Sequence, residues 1–173
     1  MTTSQYLLNV GLLAFVLWAN LGTRTVRRSR FTLPLLLVAI AAVVFLRDVP
    51  TLGNDLALEV VGVVAGAVLG LVAAALVRVD RDSSDQLVMR AGLAYAALWI
   101  AVIGGRMLFA YGADHWFSRG IGQFSRDHAI TGADAWTAAF ILMALSMVVM
   151  RVAASGVAVA RAVRRPAGVL ASA

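Results

Sequence analysis

The sequence predicts an all-α, polytopic membrane bundle of five transmembrane helices, with the N-terminus outside and the C-terminus in the cytoplasm. Three observations carry that prediction. Hydrophobic residues make up 61% of the 173 residues and mean hydropathy is +0.87. A soluble domain is about 45–50% apolar, and a chain this short has too little interior to hide the excess from water. The apolar residues gather into five stretches, each near the ~20 residues that cross ~30 Å of hydrocarbon. All 15 basic residues are arginine, and they are distributed between the stretches as topology signals are.

The first stretch covers about residues 6–21. No positive charge precedes it and arginines follow it, so it reads as an uncleaved, N-out signal anchor rather than a cleavable signal peptide. The second covers about 31–46, after the basic run Arg24, Arg27, Arg28 and Arg30. The third, 56–77, is the cleanest, and the fourth and fifth cover 91–111 and 135–154. The first and third connections and the C-terminal segment together hold 11 arginines, the second and fourth connections hold 3, and Arg106 lies inside the fourth span. Arginine-rich connections stay cytoplasmic, which orients every span.

Residues 1–165 form a single domain in this reading, and 166–173 are expected to be a disordered tail. Alternating character on both sides of residues 82–85 suggests a short cytoplasmic hairpin. The connection 112–134 carries Trp116, Phe117, Ile121 and Phe124, which predicts a helix lying in the outer headgroup layer. Residues 156–165 are expected to extend the fifth helix into the cytoplasm.

Absent residue types exclude whole chemistries. Without lysine there is no Schiff base, and without cysteine there is no disulfide or thiolate ligand. No H-E-x-x-H, G-x-S-x-G or phosphate-cradling glycine loop occurs, so no catalytic residue and no cofactor is expected and the chain is not read as an enzyme. The high isoelectric point would suggest nucleic acid in a soluble protein, but here the arginines flank apolar spans and nucleic acid is not expected as a partner.

Ionisable residues inside spans are costly and usually pair or line a cavity. Glu59 and Arg106 both lie roughly 5–8 Å below the outer surface, one in each of two consecutive spans. They are therefore expected to meet, either as a structural ion pair or as a polar site open to the outside. Asn9 lies at a similar depth in the first span. Tyr95 and Trp99 share a face of the fourth span with Arg106, which suggests a site for an anionic or quinone-like ligand built from Asn9, Glu59, Tyr95, Trp99 and Arg106.

Gly62, Gly66 and Gly70 recur at four-residue spacing on the stripe that also holds Glu59 and Ala73. Such a surface admits close approach of another helix, from this chain or from a second copy. Gly104-Gly105 reads as a hinge or a packing notch, and Trp136, Met143, Met147 and Met150 as core. His115 and His128, each preceded by Asp, are the candidates for metal or haem, although their spacing matches no specific motif.

Several of these features together resemble the CcdC-like family of small bacterial membrane proteins, over about residues 6–155. They are the basic run at 24–30 followed by Pro34, the glycine-bearing third span closing on Arg78, the acidic turn at 80–85, Arg106 late in the fourth span, and Arg151 closing the fifth. The resemblance implies a plasma-membrane protein. The family takes its name from a member associated with cytochrome c biogenesis and offers no active residues to transfer. With no cysteine, direct thiol exchange with an apocytochrome is excluded.

The leading functional expectation is a non-enzymatic accessory or scaffold protein that binds a membrane partner: a protein, a lipid or a second copy of itself. A small transporter or ligand-binding protein, using the polar site around Glu59 and Arg106, is the alternative. A haem- or metal-associated membrane protein is the second alternative.

Overall fold

The long apolar runs become helices here, one of them with Pro34 inside it, and the connections between them form short strands and one short helix. A computed structural model describes residues 11, 22–25, 29–45, 52–84 and 86–164. The first expected span, with Asn9, and the expected tail at 166–173 lie outside the described residues. Within them there are five helices, α1 (Ser29–Phe45), α2 (Asp55–Ala75), α3 (Leu93–His115), α4 (Ser118–Asp127) and α5 (Ala133–Arg164). Three strands accompany them, β1 (Gly22–Thr25), β2 (Val77–Arg81) and β3 (Leu87–Ala91).

Helices α2, α3 and α5 are long and apolar enough to cross a membrane, while the apolar part of α1, Phe31–Val44, is shorter. The exposed residues agree with a lipid surround. Leu33, Leu36 and Ile40 of α1 and Val61, Val64 and Val68 of α2 are all more than half exposed. Contiguous apolar surface of that kind marks contact with lipid or protein rather than water. The chain is a helical membrane protein.

Helix ends differ from the expected spans for local reasons. The third span ends at Ala75 rather than residue 77, because Val77 already pairs in a sheet. The fourth starts at Leu93 rather than 91, because Ala91 closes β3, and it runs on to His115. The fifth absorbs the expected extension and reaches Arg164.

The tightest pairing joins two spans that are not consecutive in the chain and that the expected alternating topology points the same way. Helices α2 and α5, separated by some 60 residues of chain, lie side by side and parallel. A Cβ built on Gly62 would meet the backbone of Ala139, one on Gly66 that of Met143, and one on Gly70 that of Met147. Both members of these pairs advance by four residues per step, so the two helices run in the same direction and in register. Lipid supplies no hydrophobic drive between helices, and close van der Waals contact is what small residues make available. The Ser146 hydroxyl donates to the Val63 carbonyl across the same seam at 2.8 Å.

The seam is pinned at its start. Gly53 adopts the left-handed φ of +58°, where a side chain would strike the Ala129 carbonyl. The Asn54 backbone N–H donates to Ala129 O and its side-chain amide to His128 O, each at 3.0 Å. Asp55, fully buried, accepts from the Thr131 backbone N–H at 2.9 Å and from the Thr131 hydroxyl. These bonds tie the first turn of α2 to the loop that opens α5, which sets the parallel alignment.

At the opposite end the expected hairpin is present as β2 and β3, antiparallel, with Val77 opposite Ala91 and Arg81 opposite Leu87. The sequence did not suggest its third member. β1 joins the free side of β3, with Gly22 opposite Ala91 and Thr25 opposite Val88, giving the order β1-β3-β2. Just below the sheet, Ala73, Tyr95, Trp99 and Met147 form a buried cluster shared by α2, α3 and α5, and Val77 and Ala91 pack against it.

Candidate functional site

Of the residues expected to share one polar site, Glu59, Tyr95, Trp99 and Arg106 are described, and they are spread along the bundle. Glu59 lies on the stripe that α5 covers. It is only 5% exposed, and its buried Oε1 has no hydrogen-bond partner among the described residues. Arg106 does not reach it. The guanidinium carbon of Arg106 lies 5.9 Å from the centroid of the Phe140 ring, on α5. The expected Glu59–Arg106 ion pair is therefore absent among the described residues. Equal depth placed the two residues at one level, but α2 packs on α5 rather than on α3.

Tyr95 and Trp99 stand at the other end of α3 from Arg106. Eleven residues of helix separate Tyr95 from Arg106, ~16 Å along the axis. Tyr95 is 1% exposed and accepts a hydrogen bond from Arg151 Nη1 at 3.1 Å. Its ring lies 6.2 Å from that of Trp99, whose indole N–H is buried without a partner. Arg151 is the residue sequence reasoning missed here. Its position at the close of an apolar run read as a topology signal, yet it holds the phenol of α3 to α5.

His115 and His128 are each bound to their own helix. The His115 ring stacks on Tyr111 at 4.2 Å with Nδ1 3.0 Å from the Tyr111 carbonyl oxygen. The His128 ring does the same with Phe124, at 4.1 Å and 2.9 Å. Among the described residues no group of three His, Cys, Asp or Glu is placed to hold a metal ion.

A different site assembles where α3, α4 and α5 meet. Gly112 lets the chain double back: both Trp116 and Phe117 donate their backbone N–H to its carbonyl, and the Phe117 ring rests where a Cβ would be. That fold-back launches α4 across the end of the bundle. Ile121 and Phe124 of α4 stand beside Phe109 of α3 and Trp136 of α5, with Phe124 still exposed on one side. The result is an open cleft of about 350 Å³ lined by Phe109, Phe117, Gly120, Ile121, Phe124 and Trp136.

Phe109 is the hub of this cleft, with ring centroids 5.3 Å from Trp136, 5.1 Å from Phe140 and 5.9 Å from Phe117. The Trp136 indole N–H donates to Ser125 Oγ at 3.2 Å, so the one polar atom of that ring is satisfied away from the cleft. The wall offers hydrocarbon and aromatic faces, which suit an apolar occupant. The aromatic spacing of the 112–134 connection was visible in the sequence, but the contribution of Phe109 and Trp136 depends on how α3 and α5 converge.

Compared with known proteins, residues 2–160 match the family model described as CcdC protein. No curated protein and no solved structure matches the chain.

Proposed function

The chain belongs to the CcdC protein family, and we propose that it is an accessory or scaffold protein of the bacterial plasma membrane that holds another membrane component rather than catalysing a reaction. In this reading it has five spans, with the N-terminus outside and the C-terminus in the cytoplasm, as the arginine distribution favours. The observation that carries the function is the aromatic cleft between α3, α4 and α5. It is open, it is almost wholly apolar, and on this topology it lies at the outer surface of the membrane, where a hydrophobic segment of a partner protein can enter from the bilayer.

Photo-crosslinking in native membranes tests this. A photoreactive residue at Ile121 or Phe124 should give a discrete adduct with a partner protein, and one at lipid-facing Leu36 should not. Equal labelling from all three positions would contradict a partner-binding cleft. A reporter fused after Ala173 should be active only on the cytoplasmic side.

A second reading, a small transporter or ligand-binding protein, is favoured by one observation, the buried Glu59 carboxylate oxygen without a hydrogen-bond partner among the described residues. An intramembrane acid of that kind often marks a substrate or ion path. Since the chain has no cysteine, Glu59→Cys would be the single thiol. Labelling by a membrane-impermeant thiol reagent would support a water-filled path, and resistance to it would count against transport.

A further inference from the structure

The end of the bundle opposite the cleft is strongly basic, and the sheet gives that charge a fixed depth. Strand β2 follows α2 after one residue, Leu76, and β3 leads into α3 through one residue, Gly92. Arg78 and Arg90 are thus each three residues from a helix end, ~10 Å at about 3.3 Å per residue. The headgroup layer begins where the hydrocarbon ends and is ~5–8 Å thick on each side, so the two guanidinium groups stand at or just above it.

The register sharpens this placement. Arg78 pairs directly with Arg90, and Arg90 pairs on its other side with Thr23. Val77 and Ala91, next along the strands, pack against the buried cluster, so strand alternation turns Arg78 and Arg90 to the opposite face. Both are exposed. Like charges directly opposite on neighbouring strands destabilise a sheet unless a counter-charge is supplied. Among the described residues Arg78 has no hydrogen bond or ion pair, and Arg90 has Asp80 at a distant 4.0 Å.

Asp80 shares the face of the pair and reaches only Arg90, at the limit of an ion pair, so the two cations are neutralised in part. Asp80 and Asp82 are further toward the hairpin tip, away from the helix ends, while the cations lie nearest the membrane. Helix α5 adds to the same end. By the register of the seam, α5 runs about 12 residues, ~18 Å, beyond the end of α2, and this extension carries exposed Arg161 and Arg164. At the cleft end, Arg119 and Arg126 are matched by Asp114, Asp127 and Asp134.

We propose that the three-stranded sheet is a seat for the phosphate groups of anionic phospholipids in the adjoining leaflet, with Arg78 and Arg90 as the contact residues. The depth of the pair selects a lipid: Arg78 and Arg90 lie nearest the helix ends, whereas a soluble partner approaching from the tip would first meet Asp80, Arg81 and Asp82, whose charges largely offset one another. The inference rests on the membrane reading of the helices and not on the partner or orientation proposed above.

The test is native mass spectrometry of the purified full-length chain in detergent with equimolar phosphatidylglycerol and phosphatidylcholine. The unaltered chain should retain phosphatidylglycerol in excess. R78Q/R90Q should lower that preference by roughly tenfold or more, since each surface arginine is worth about fivefold. R119Q/R126Q, at the other end, should leave it unchanged. If R78Q/R90Q does not fold, Asp82→Asn reads the same seat and should raise the preference. Equal retention of the two lipids by the unaltered chain, or no change in these sheet variants, would overturn the proposal. So would complete displacement of phosphatidylglycerol by inorganic phosphate at matched ionic strength, because the seat would then belong to a soluble anion.

Discussion

Along the α2–α5 seam glycine lets two backbones touch, whereas mid-way along α3 Gly104 and Gly105 face no other described residue and aromatic rings make the contacts. Gly62, Gly66 and Gly70 each sit where an added Cβ would meet the backbone of α5, while among the described residues no atom lies within 4 Å of such a Cβ at Gly104 or Gly105. Helix α3 is held instead by long side chains, through Phe109 on Trp136 and Phe140 and through Tyr95 bonded to Arg151. The two modes have different consequences. Backbone contact in lipid yields a dense, aligned pair, and contact through rings leaves space between them, which here is the cleft. One residue type therefore has opposite meanings in two helices of one chain.

Substitutions can break that contrast, beginning with the largest effect. Gly66→Leu places a side chain into the Met143 backbone and should destabilise the fold by about 3 kcal/mol, read as unfolding in detergent. The same change at Gly105 should leave the midpoint almost unmoved. If both cost the same, the seam is not what the geometry makes it.

Next is the clamp that aligns the seam. Asp55→Ala removes both hydrogen bonds to Thr131 and should cost about 2 kcal/mol, with Asp55→Asn retaining part of the loss. An unchanged unfolding midpoint for Asp55→Ala would show that alignment is set elsewhere.

Sequence patterns reported faces and depths, and the parts they missed are partnerships. The apolar runs of sufficient length became α2, α3 and α5, and the aromatic spacing after Gly112 became α4. The alternation around residues 82–85 became β2 and β3. A glycine stripe shows which side of α2 is close-packed but not which helix covers it, so the pairing with α5 was not legible, although the arginine alternation points those two spans the same way. Strand β1 has four residues, Gly-Thr-Arg-Thr, with no apolar alternation, and its partner lies far along the chain. Glu59 and Arg106 lie within apolar helices, Glu59 buried and Arg106 half-buried, but equal depth does not make two residues neighbours.

Smaller effects sharpen the comparison. Gly105→Ala replaces glycine in a helix interior facing open space and should stabilise by about 0.5–1 kcal/mol, whereas Gly66→Ala should destabilise. Smallest of all is the coupling between Glu59→Gln and Arg106→Gln. With Arg106 over Phe140 rather than beside Glu59, the two changes should add to within about 0.5 kcal/mol. A coupling well above that would place the two charges together after all.

The parallel alignment of α2 and α5 is the claim on which the cleft, the sheet and the seam all depend. It can be measured directly, because a chain without cysteine accepts spin labels only where cysteines are introduced. Labels at exposed Leu56 and Asp134 should give a short distance by pulsed electron resonance. Labels at Leu56 and exposed Val157 should be separated by roughly 36 Å along the bundle, since Val157 lies about 24 residues past the level of Leu56. The reverse order, with Val157 near Leu56 and Asp134 far from it, would mean antiparallel helices and would contradict the account.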